Sequence, residues 1–171
     1  MKKYNGFSLI EAMVVLAIFA LVITFGIPAF STWNKKQSAE GQISKLYNDL
    51  QYTRMKAYSD KVVCGIWWGG SSTFTSYILK EDGDSASGTA PDGDIDDASG
   101  TDEFIETVAS KYSITTTNNA TNRLEFNGRG FSRNLASFYI PSSSGAAQDC
   151  LTVSRTRIIM GRWNGTNCIP K

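Results

Sequence analysis

Between Phe7 and Phe30 the chain reads FSLIEAMVVLAIFALVITFGIPAF, an apolar run with a single formal charge, Glu11. A short basic, polar head, MKKYNG, precedes it. About 20 apolar residues cross a bilayer as a helix, so the run has the length of a membrane span. A secretory signal peptide has an apolar core of roughly 7–15 residues and a small-residue cleavage site after it. Here the run is longer, no A-x-A-like site follows, and the small residue Gly6 stands before it. An ordinary anchor accounts for the length but not for Glu11, because a carboxylate in a spanning helix is costly unless paired. Cleavage after Gly6 accounts for both. It gives Phe7 a new α-amino group, and Phe7 and Glu11, spaced i, i+4, then share one helix face. In an assembly of parallel helices the Glu11 carboxylate can pair with the amino terminus of a neighbouring Phe7. A buried pair of that kind is a device for fixing register between subunits rather than a source of stability.

Beyond Pro28 the pattern changes to one apolar and one wet face, with Ala39, Ile43, Leu46/Tyr47, Leu50 and Tyr58 as the inward set. The spacing predicts a helix from Phe7 to about Ser59, kinked or locally melted near Gly26 and Pro28. From Lys61 the period shortens. Expected strands are Val62–Trp67, Thr73–Lys80, Phe104–Ala109, Tyr112–Thr116, Arg123–Phe126, Ala136–Ile140, Leu151–Ser154 and Arg157–Trp163, separated by Gly, Ser, Asn and Asp clusters. Trp67, Trp68, Phe74 and Phe126 read as core. A helix followed by a run of strands predicts an α+β fold with an antiparallel sheet packed on the helix.

The segment Gly6-Phe7-Ser8-Leu9-Ile10-Glu11, with Lys2 and Lys3 before it, resembles the prepilin cleavage and methylation motif of type IV pilins and type II secretion pseudopilins. Ser8 stands where Thr is more usual. Further along, Leu50-Gln51-Tyr52-Thr53-Arg54-Met55-Lys56-Ala57, Phe126-Asn127-Gly128-Arg129-Gly130 and Val153-Ser154-Arg155-Thr156-Arg157-Ile158 are similar to elements of the FimT/GspH group, although Thr156 replaces the Gly common before the Arg. The resemblance implies a leader, residues 1–6, removed by a prepilin peptidase that cuts after Gly6 and methylates Phe7. It implies a transmembrane and filament-core helix, 7–30, and a globular pilin head, 31–171, outside the inner membrane. The head comprises an amphipathic helix half, 31–59, and a β-rich part, 61–171. The implied function is structural: a minor pilin that primes or caps a filament. The alternatives are a secretion pseudopilin, a minor pilin that binds DNA for uptake, and a major pilin. The implied partners are other pilin subunits, the peptidase, the inner membrane before assembly and, in the uptake reading, DNA. The leader lysines agree with a cytoplasmic leader by the positive-inside rule.

Export places the three cysteines where disulfides persist. Cys150–Cys168 is the favoured pairing, closing the C-terminal segment onto the preceding strand, with Cys64–Cys168 as the alternative. Cys64 otherwise reads as a small buried hydrophobe. Charge is unevenly spread: ten acidic residues and one basic lie between Lys80 and Glu106, and seven basic and two acidic between Arg123 and Lys171. In the acidic stretch Asp92, Asp94 and Asp96 alternate as calcium ligands do, without a full EF-hand pattern; calcium is the one cofactor considered. In the basic stretch Arg155, Arg157, Arg162 and Lys171, with Trp163 beside them, form a candidate DNA-binding set. Arg155 and Arg157 would share one face of a strand. With no histidine, imidazole bases, Ser-His and Cys-His pairs and His metal ligands are excluded, and no nucleotide-cradling loop is present. The sequence points to no enzymatic activity.

Overall fold

A computed structural model of the chain describes residues 7–83, 88, 90–95, 102–118, 120–141 and 145–170. One helix, α1 (Leu9–Asp60), precedes eight strands: β1 (Cys64–Trp67), β2 (Thr73–Glu81), β3 (Glu103–Thr116), β4 (Arg123–Phe126), β5 (Ala136–Tyr139), β6 (Cys150–Val153), β7 (Ile158–Trp163) and β8 (Cys168–Pro170). The chain divides into two compact units, residues 1–35 and 36–171.

In the first unit α1 starts after Ser8, whose carbonyl accepts from Ala12 N at 3.1 Å. Pro28 lies inside the helix, and helical residues continue on both sides of it. The expected melting near Gly26 and Pro28 does not occur. The Thr24 and Thr32 hydroxyls donate to the carbonyls four residues back, Ala20 (2.7 Å) and Pro28 (3.0 Å). Such back-bonding keeps polar side chains satisfied on an apolar helix.

In the second unit the helical stretch buries Ala39, Ile43, Leu46, Leu50, Thr53 and Ala57, successive steps of four and three that keep one face on the sheet. Tyr58, expected on that face, is 60% exposed, and the inward position belongs to Ala57. The difference is one residue, or about 100° of helix rotation. A large aromatic next to a small inward residue drew the sequence reading off by one step.

The sheet is antiparallel throughout, in the order β4-β1-β2-β3-β5-β6-β7-β8. Trp68, Phe74, Tyr77 and Phe138 form a ring cluster against the helix, with Trp68 and Phe138 edge to face at 5.4 Å. Trp67 is only half-buried, its ring 5.6 Å from Lys80 Nζ. Two expected strands, Phe104–Ala109 and Tyr112–Thr116, are one long strand, β3, which bulges against β2 between Phe74 and Ser76. At the bulge the Gln42 amide donates to Tyr112 O (2.7 Å) and accepts from Tyr112 N (2.9 Å). β8, too short for periodicity to reveal, pairs with β7.

Glycine is required where backbones press together, between strands at Gly65 and between a turn and the helix end at Gly128. A Cβ on Gly65 would stand 2.0 Å from Leu124 O, and one on Gly128 would stand 2.6 Å from Lys61 O. Lys61, which ends α1 with its N bonded to Ala57 O, itself has φ 62°, the left-handed cap conformation usually given to Gly.

Candidate assembly helix and head surfaces

Phe7 is 78% exposed, and every described side chain from Leu9 to Phe30 is exposed. The helix is long and apolar enough to cross a membrane, with mean hydropathy 2.6 over its most apolar stretch. Helical positions apolar all round have no wet face and must be covered by lipid or by other helices. Glu11 sits in the first turn, where the unpaired N–H groups favour a carboxylate. Phe7 lies before the first helical residue, so helical geometry alone does not fix its face relative to Glu11. Gly6, Lys2 and Lys3 lie outside the described residues.

The basic residues do not gather as the sequence suggested. Arg155 and Arg157 lie in the turn between β6 and β7, not on a strand, because Ser154 closes a tight hairpin through its N and Oγ with Arg157 (2.8–3.2 Å). Arg162 is near the far end of β7, beside Trp163, which stacks on Tyr139 at 3.8 Å. At about 3.3 Å per residue, five residues put some 17 Å between the backbones of Arg157 and Arg162. Lys171 lies outside the described residues. The Arg155 turn meets a different segment: Ser132 N donates to Arg155 O at 3.0 Å. That brings it beside the loop carrying Arg129 and Arg133.

The acidic residues also sort differently. Asp94 turns to Arg123 (2.8 Å), and Arg123 Nε is 2.9 Å from the buried carboxylate of Glu125, which also accepts from Ile95 N. Arg133 adds a bond to Gly93 O. Asp96 lies outside the described residues. The carboxylates that converge are Asp82, Asp92 and Asp102, with oxygens within 4.8 Å of one another. Hard cations favour such oxygen sets. Here, though, Asp82 accepts from Asp92 N and Gly93 N (both 2.9 Å), and Lys80 Nζ lies 3.4 Å from Asp102. Strand pairing of Glu81 with Glu103 sets Asp82 beside Asp102, and the bonds from the 92–93 backbone bring Asp92 to Asp82. Burial pushes the Asp82 carboxyl up, against the opposing pull of its two N–H donors. Sequence alternation missed Asp82 and Asp102 because they lie side by side only through the pairing of Glu81 in β2 with Glu103 in β3.

Cys150 and Cys168 are joined, with Cα atoms 5.8 Å apart, and tie β6 to β8. Cys64 is a free thiol, buried in β1, and desolvation pushes it up to about 12. Lys56 binds Glu81 (2.6 Å) and Asp60 (2.9 Å), and hydrogen bonding to Glu81 and then Asp60 raises its ammonium. Tyr77 is raised by burial and by its bond to Asp49 (2.6 Å).

Over residues 1–27 the chain matches the family model described as the prokaryotic N-terminal methylation motif. No curated protein matches the chain. Among solved structures, the crystal structure of the type IV minor pilin FimU of Pseudomonas aeruginosa is similar at 20% identity and a TM-score of 0.49, over 78% of this chain and 92% of that one.

Proposed function

We propose that the chain is a structural subunit of a type IV pilus-like filament, a minor pilin that primes or caps assembly. The observation that carries this reading is the exposed apolar helical stretch with one carboxylate in its first turn, lying within a match to the methylation motif. The apolar helix and the motif fit a membrane-anchored precursor. In this reading a prepilin peptidase cuts after Gly6 and methylates Phe7. The stretch 7–30 then leaves lipid for a bundle of like helices, where Glu11 meets the amino terminus of a neighbour. Transfer between two apolar surroundings costs little in hydrophobic terms, so the single charge decides the register.

The test is intact-mass and N-terminal peptide mass spectrometry on filaments sheared from cells. A methylated chain beginning at Phe7, present in trace amounts, is the expected result. The same chain as the dominant species would make it a major pilin. Processed chain confined to the membrane fraction would make it a secretion pseudopilin. An unprocessed chain would overturn the reading. Binding of DNA by the C-terminal arginines has weaker support, because Arg162 stands a strand's length from Arg155 and Arg157.

A further inference from the structure

The outer face of α1 in the head is not the solvated surface an amphipathic helix usually presents. Tyr52, Met55 and Tyr58 are 50%, 72% and 60% exposed, at steps of three. Beside them Arg54, Met55, Tyr58 and Arg129 line a groove of about 630 Å³ between the helix and the 127–130 loop. The loop is held by its own bonds. The Asn127 side chain accepts from Arg129 N and Phe131 N (both 3.0 Å), and Gly130 N donates to Asn127 O (2.7 Å). Arg54 Nε fixes it to the helix through Gly130 O at 2.8 Å. Lys61 Nζ lies 3.7 Å from the centre of the Tyr58 ring.

Among the described residues, Arg54, Lys61 and Arg129 have no carboxylate within ion-pair distance, whereas Lys45, Lys56, Lys80, Arg123 and Arg133 each have at least one. The groove therefore has an apolar floor, a preorganised wall and uncompensated positive charge. Met, Tyr and Arg are the residue types enriched at protein interfaces. A rigid wall lowers the ordering cost of docking. Nucleic-acid bases find a poor platform: one face of Tyr58 is taken by Lys61, and no second ring lines the groove.

We infer that this groove docks an acidic segment of a neighbouring subunit's head, of the kind this chain carries between Lys80 and Glu106, where ten acidic residues face one basic. The inference rests on the filament reading above. Opposite charge on the two surfaces fixes which heads become neighbours, while the groove floor supplies the buried contact.

The test uses the full chain in cells that assemble the filament. Arg129→Glu reverses a side chain whose loop is held by backbone bonds, so processing and membrane abundance stay normal. Its incorporation into sheared filaments falls about tenfold, as loss of an interface charge contact predicts. Arg129→Lys restores it, and Lys111→Glu, a charge reversal outside the groove, does not lower it. A photo-reactive benzoylphenylalanine at Met55 cross-links in purified filaments to an acidic peptide of the adjacent subunit. Equal incorporation of Arg129→Glu and wild type overturns the inference, as does an equal loss in Lys111→Glu. Normal incorporation of Arg129→Glu with lost, salt-sensitive binding of a single-stranded oligonucleotide overturns it in favour of nucleic acid. Wild-type chain missing from filaments defeats the filament reading itself, a different outcome from any of these.

Discussion

The two stretches of α1, 9–30 and 39–57, share one backbone conformation and obey opposite rules. In the later stretch apolar residues fall at steps of four and three, and a sheet covers that face. In the earlier stretch they fall everywhere, and among the described residues of its unit none covers them. Periodicity tells a helix which side to bury. Its absence says that burial must come from outside the chain, from lipid or from copies of the same helix. The only formal charge in the earlier stretch is Glu11, which in the proposed filament would carry the information that a whole apolar face carries in the later one.

That contrast can be broken by exchanging the kinds of change made in each stretch. If the proposed filament reading holds, Glu11→Ala should leave the precursor in the membrane at normal levels, yet reduce filament incorporation by about tenfold or more, since it removes the charge proposed to set the register. Quantitative immunoblots of membrane and sheared fractions check this, and normal incorporation would refute the role. In the head, Leu50→Ala should cost about 2–5 kcal/mol by opening a cavity at a fully buried site, measured by denaturant unfolding in detergent. Leu16→Ala, at a residue 67% exposed, should leave head unfolding unchanged. If the two costs were equal, the division of labour along the helix would be wrong.

The comparison also explains which parts of the molecule could be read from sequence. The apolar run, the lone Glu11 and most strands were legible because their signals are local: composition, one charge, a period of two. Tyr58 misled because ring size outweighed spacing, and Ala57 carries too little hydrophobicity to announce itself. β8 has three residues and one register partner each, below any period. The converging carboxylates depend on which residues β2 and β3 pair and on the 92–93 turn, and the Arg54–Arg129 groove on a contact across 76 residues, and no spacing rule encodes such contacts.

Smaller effects sharpen the picture within the head. Replacing Cys150 and Cys168 by Ala should lower stability by about 3 kcal/mol, the loop-closure value for an 18-residue separation. Without reduction, alkylation should label nothing in the native head and one thiol, Cys64, after unfolding. The smallest change concerns Asp82. Its folded carboxyl is raised above the ordinary value, so the folded state holds its proton more tightly than the unfolded one. Its contribution therefore disfavours folding progressively as pH rises from the unfolded value through the folded one, and is neutral below both. Asp82→Asn should remove that decline, which begins at the ordinary carboxylate value and runs upward from it, while weakening one of the two bonds to the 92–93 turn, an outcome read from unfolding midpoints across pH.

Gln42 has a consequence for how the helix is seated. Its amide offers a donor and an acceptor in one plane and meets the N–H and C=O of a single strand residue, Tyr112. In effect a helix side chain occupies the place of a ninth strand for the length of one residue. Turning the helix by one position would strip two backbone groups of their partners at once. Neither a carboxylate, which lacks the donor, nor an aliphatic side chain, which lacks both, can substitute. The fit of helix to sheet is therefore indexed like a key with one notch, where oily contact alone would allow several near-equivalent rotations.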